Sequence, residues 1–153
     1  MNTQKKWLPG NVIEILLEDE SISYGLVIRE PLIAFSRLTY STKVEISAEL
    51  FTDIAFQTWC HNESIGKNGW SIVGYINLSE ISLPAENFYR YDPISQEFFH
   101  YIDNTNDIPV QREDCIDMEC AAVWDKNHIE QRLYALKTGK SCIWLESLKA
   151  ENR

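Results

Sequence analysis

Positive charge is what this sequence has least of. Fourteen Lys and Arg stand against 23 Asp and Glu, leaving a net charge of -9. A surface of that sign repels phosphate backbones, so direct nucleic-acid binding is disfavoured, while a partner with a basic surface is steered toward it. Glycine is sparse as well. The six glycines, at 10, 25, 66, 69, 74 and 139, never approach the spacing of a phosphate-binding loop, and no G-x-S-x-G elbow is present. Long apolar runs are missing, since nothing nears the roughly 18 residues a membrane-spanning helix needs. Met1 to Lys6 is polar and Trp7-Leu8-Pro9-Gly10 interrupts any export-type apolar segment, so the chain is expected in the cytoplasm. There Cys60, Cys115, Cys120 and Cys142 are expected as reduced thiols. Histidine is limited to His61, His100 and His128, far apart and in no ligand or catalytic motif.

What is present is aromatic and strand-like. The 153 residues fit a single domain over 1–153, without repeats or linkers, and the 12% aromatic content favours a sheet. Val12 to Leu17 reads as a strand, Glu18-Asp19-Glu20-Ser21 as a turn, and Ile22, Tyr24, Leu26 and Ile28 alternate as in a half-buried strand, giving an opening hairpin. Leu32 to Leu38, Leu50 to Cys60, Trp70 to Leu78, Glu97 to Ile102, Met118 to Trp124 and Cys142 to Leu145 supply further strand candidates. Pro84 and Pro93 mark irregular chain around Phe88-Tyr89-Arg90-Tyr91. One helix is expected late, capped by Asn127 with Glu130, presenting Ile129, Leu133 and Leu136 on one face and ending at Gly139. The sum is an α+β, β-rich single domain, a mostly antiparallel sheet with one C-terminal helix packed against it.

The acids are unevenly spread. Between Asp92 and Glu119 eight carboxylates face Arg112 alone. One reading is a set of solvated loops. The other is an electrostatic face for a basic partner, with Asp103, Asp107, Glu113, Asp114 and Asp117 as its charges and Tyr101 as an aromatic anchor. Cys60-His61 is a small buried thiol beside a loop histidine, or else the nucleophile of a small hydrolase. A third reading is a regulatory domain that binds nucleic acid through its aromatics, against which the net charge argues.

The order of motifs is familiar. Gly10-Asn11-Val12-Ile13-Glu14-Ile15 followed by Ser23-Tyr24-Gly25-Leu26-Val27 resembles the opening hairpin of the immunity protein 26 family. Leu50 to Phe56 is similar to that family's second hydrophobic block, and Gly69-Trp70-Ser71-Ile72-Val73-Gly74 to its tryptophan element. Pro84 with Phe88 fits the segment that follows, and the likeness runs over roughly residues 9 to 145. Leu16-Leu17 stands where Pro-Leu is usual, and Leu26 where a polar residue is common. The resemblance implies a bacterial protein of contact-dependent growth inhibition or related polymorphic toxin systems. Such a protein binds and neutralises a cognate toxin C-terminal domain, with no cofactor and no catalytic residue; from the short apolar runs, no membrane partner is expected either. A nuclease toxin with a basic cleft would suit the acidic charge.

Overall fold

The opening hairpin forms where the alternation places it. The structure, a computed structural model, describes residues 3–102 and 107–153. After one helical turn, α1 (Thr3–Lys6), strands β1 (Asn11–Leu16) and β2 (Ile22–Arg29) pair antiparallel with Val12 opposite Leu26 and Ile15 opposite Ser23. Asp19 closes the turn by accepting from the backbone N–H and the hydroxyl of Ser21 at 3.0 and 2.6 Å, and Lys137 pairs with the same carboxylate. Strand β3 (Leu32–Ser36) follows Pro31, then β4 (Ile54–Cys60), and β5 (Ser71–Tyr75) adds to the outer side of β1.

The remaining strands build a second sheet. Strands β6 (Phe88–Asp92), β7 (Glu97–Tyr101) and β8 (Ile108–Val110) form an antiparallel meander. Met118 to Trp124, expected as one strand, is two short ones. The first, β9 (Glu119–Cys120), runs parallel to β6, and the second, β10 (Val123–Trp124), runs parallel to β4 in the other sheet. The orders are β10-β4-β3-β2-β1-β5 and β8-β7-β6-β9. The architecture is therefore an α+β fold, two mainly antiparallel sheets with one long helix, α2 (Lys126–Thr138), near the C-terminus.

The larger sheet is covered on both faces. Ile13, Ile15, Val27, Ile33 and Phe35 face α2, whose Ile129 and Leu133 join Trp70 and Trp124 in one core. Val12, Tyr24, Leu26 and Ala34 face the other way, under Leu50, Phe51 and Ile76. Each Val, Leu, Ile or Phe among them contributes about 1.5–3 kcal/mol by leaving water. Strand β2 is thus buried over six consecutive residues, 22–27, on both faces, and not half-buried as its alternation implied: Ser23 and Val27 are as inaccessible as Leu26. The close approach needs Gly25, where an added methyl would meet Ile13 at 2.9 Å and Ile33 at 3.1 Å.

Other departures have local causes. Leu50 and Phe51 belong to a 3-10 turn (Ala48–Phe51) that folds back over the sheet, so the strand begins only at Ile54. Asp125, not Asn127, is the N-cap of α2, and Glu130 accepts instead from the Trp70 indole at 3.0 Å and pairs with Lys126 at 2.6 Å. Leu136 is 39% exposed, while Arg132 and Ala135 are buried. Cys142 to Leu145, expected as a strand, leads into a one-turn helix, α3 (Ile143–Glu146). A short apolar run has no periodicity with which to choose between strand and helix.

Candidate functional site

A 3-10 turn at Arg112–Cys115 carries two of the five acidic residues singled out by sequence, Glu113 and Asp114, and Asp117 follows it closely. Cys115 plugs into the core of the small sheet, beside Tyr89 and Phe98. Its anchoring forces the neighbours outward. The Gln111 backbone N–H donates to Asp114 at 3.0 Å, which fixes the turn's start. Glu113, Asp114 and Asp117 are exposed around Ile116, itself 48% accessible. None of the three is in an ion pair among the described residues. Arg112 lies over the Phe98 ring, 5.6 Å from its centroid. The turn and the residues just after it therefore present three carboxylates about an apolar side chain, unpaired among the described residues.

The rest of the acidic stretch is put to other uses. Asp92 accepts from the backbone N–H groups of Ile94 and Ser95 at 2.9 and 3.3 Å, which hold its carboxyl below the usual range. Asp107 pairs with Arg90, and Glu119 takes both arms of the Arg132 guanidinium at 2.8 and 2.9 Å. Asp103 lies outside the described residues. Tyr101 ends β7 with its ring edge-on to Trp59 at 5.2 Å. Three residues along a regular strand from Phe98, it lies on the face opposite the one the acidic turn covers. The structure thus gathers Glu113, Asp114 and Asp117 and sets Tyr101 and Asp107 apart from them.

Cys60 and His61 do not form a catalytic pair. Cys60 is wholly buried in the main core, and burial pushes its thiol far above its ordinary pKa. A thiol that stays protonated and out of reach of solvent is no nucleophile. His61 instead approaches Asp125, Nε2 to Oδ1, at 3.7 Å. All four cysteines are free and buried. Among the described residues no group of three or more His, Cys, Asp or Glu side chains is placed to hold a metal ion. Among the described residues no helix is long and apolar enough to cross a membrane.

Sequence reasoning passed over α3. Ile143 and Trp144 fall in a stretch read as a strand, yet they belong to a helix and stand 72% and 38% exposed. Only the tertiary position of the helix reveals this, because nothing in a three-residue apolar run marks which side faces water.

No curated protein and no solved structure matches the chain. A family model, immunity protein 26, matches residues 8–108, which takes in β1 to β7 and the first residue of β8. That span includes the opening hairpin and the Trp70 element from which the likeness was drawn, and it covers well over half of the sequence. The chain belongs to the immunity protein 26 family.

Proposed function

We propose that the protein neutralises a cognate bacterial toxin domain by binding it one to one in the cytoplasm and covering its active site or substrate cleft. It acts through contact and not through catalysis, within a contact-dependent growth inhibition or related polymorphic toxin system. The toxin on this reading is a nuclease with a basic surface. One observation carries it: Glu113, Asp114 and Asp117 are exposed on and just after one short turn, with no cation paired to them among the described residues, in a chain of net charge -9. Carboxylates so arranged can occupy the track that a phosphate backbone would follow, and their long-range field speeds encounter with a basic partner.

The test is co-purification with the C-terminal domain of the large secreted protein encoded immediately upstream. A one-to-one complex that abolishes toxicity is the expected result. Replacing Asp114 and Asp117 together by Lys should slow association about tenfold or more at low salt. A double variant that associates as fast as the parent removes the acidic turn from the interface. Absence of any complex, with an upstream domain that harms no cell, removes the toxin reading altogether.

A further inference from the structure

Ile94 is 95% accessible, the highest value of any large apolar side chain among the described residues. Single exposed apolar residues are ordinary, and what sets this one apart is how it is held. It sits in the four-residue turn, 93–96, that joins β6 to β7. The Asp92 carboxylate accepts from the backbone N–H groups of Ile94 and Ser95, and the Asp92 carbonyl accepts from the Gln96 backbone N–H at 2.7 Å. Pro93 fixes its own φ, and Gln96 closes the loop in the left-handed region at φ 62°. The branched Ile94 side chain is itself stiff at χ1. A side chain and a loop ordered before contact lose little freedom on binding.

The surroundings of the tip are acidic. Asp92 and Glu97 stand opposite each other at its base, and residues 91–97 contain no Lys, Arg or His. Neither carboxylate is in an ion pair among the described residues. The register brings the start of the acidic turn to the same end of the small sheet. Strand β8 runs antiparallel to β7 with Val110 opposite Phe98, so Gln111 leaves the sheet level with Glu97. Asp114 is fixed there, because its carboxylate accepts from the Gln111 backbone N–H, and Glu113 is beside it on the same turn. Four carboxylates therefore share this end with Arg112 and Arg153. Both arginines lie over rings of the sheet, Arg112 over Phe98 and Arg153 over Tyr91, 4.8 Å from its centroid.

We infer that the β6–β7 hairpin is a plug: its tip enters the toxin's substrate cleft, where Ile94 fills an apolar hollow between basic side chains that meet Asp92, Glu97 and Asp114. The inference rests on the toxin-neutralising reading above and makes the contact one of insertion. A hairpin tip is convex and suits a concave partner. Its two strands, about 5 Å apart, fit a cleft shaped for a polynucleotide strand. Labour is divided within the plug. Flanking charges act mainly on association, and a buried apolar anchor at the centre of a contact acts mainly on dissociation.

The experiment measures binding of the upstream-encoded toxin domain to the full chain by surface plasmon resonance. Ile94→Ala should raise the dissociation rate about tenfold or more, with association changed less than about threefold. Ile94→Arg should weaken binding further, since it sets a cation against those of the cleft, while Ile94→Leu should keep most of the affinity. Thermal melts should match the parent, because the side chain faces water in the free protein. A benzophenone amino acid in place of Ile94 should cross-link to toxin residues whose replacement abolishes toxicity. Parental dissociation rates in Ile94→Ala and Ile94→Arg, with the parent itself binding, overturn the plug and leave the neutralising function standing. Cross-links only to toxin residues dispensable for toxicity overturn insertion into the cleft. No binding by the parent overturns the plug and the neutralising reading together.

Discussion

The two sheets are held by different forces. The six-stranded sheet is packed on both faces by aliphatic and aromatic side chains, and β2 passes through it with six consecutive buried residues. The four-stranded sheet has short outer strands, a smaller core around Tyr89 and Phe98, and charged ties to its surroundings. Arg132 is the chief of these. Its guanidinium lies 3.5 Å over the Phe56 ring centroid and grips Glu119, joining α2 to both sheets. The comparison teaches that the large sheet is specified by burial, which is non-directional and repeated at every position. The small sheet depends on a few directional contacts, each costly to lose.

Four substitutions or conditions would sharpen or break that contrast. Phe35→Ala, at the centre of the large sheet, should destabilise the whole protein by about 3–5 kcal/mol, with one cooperative urea transition of unchanged slope. Arg132→Met should cost about 3 kcal/mol, since Glu119 keeps a largely buried charge without its partner. Hydrogen exchange should then quicken in β6 and β7 well before β1 to β3. Equal quickening in both sheets would mean that they are one cooperative unit and that the contrast is only one of composition. Gly25→Ala should cost about 1–3 kcal/mol through overpacking against Ile13 and Ile33, read from the same urea transition.

The smallest effect expected is acid sensitivity. Asp92 and Asp19 have lowered pKa values, the first from backbone N–H donors and the second from Lys137 and Ser21. Groups depressed on folding stabilise the native state above their unfolded pKa of about 3.9, and that stabilisation disappears as pH falls through their folded values. The melting midpoint should therefore drop progressively below about pH 4. Asp92→Asn should blunt the drop for the small sheet's hairpin, and Asp19→Asn for the large sheet's. An acid-insensitive melt would show that neither turn matters to stability.

What sequence could reveal follows the same division. The β1–β2 hairpin, the Gly139 cap of α2 and the burial of Cys60 were legible because period and composition act locally. The split of Met118 to Trp124 between two sheets was not, because it depends on where β4 and β6 lie. Nor was the fate of Glu119 and Asp107, whose arginines come from elsewhere in the chain. Of the anticipated acidic face, the turn bearing Glu113, Asp114 and Asp117 is a local structure, and their being neighbours was readable from spacing alone. That Tyr101 lies across the sheet from them required the pairing of β7 with β6.

The clip formed by β9 and β10 also bears on the order in which the chain folds. Residues 119–124 pair with residues 88–89 and 59–60, and the Trp124 carbonyl accepts from the His61 backbone N–H at 3.1 Å. Each pairing closes a long loop, whose entropic cost falls due before the contact returns anything. Strands β1 to β4 can assemble as a local meander, but neither sheet is complete until this late segment arrives. Folding should therefore run in two stages, a quick meander and a slower clasp, with the rate of native protein appearance set by six residues near the chain's far end.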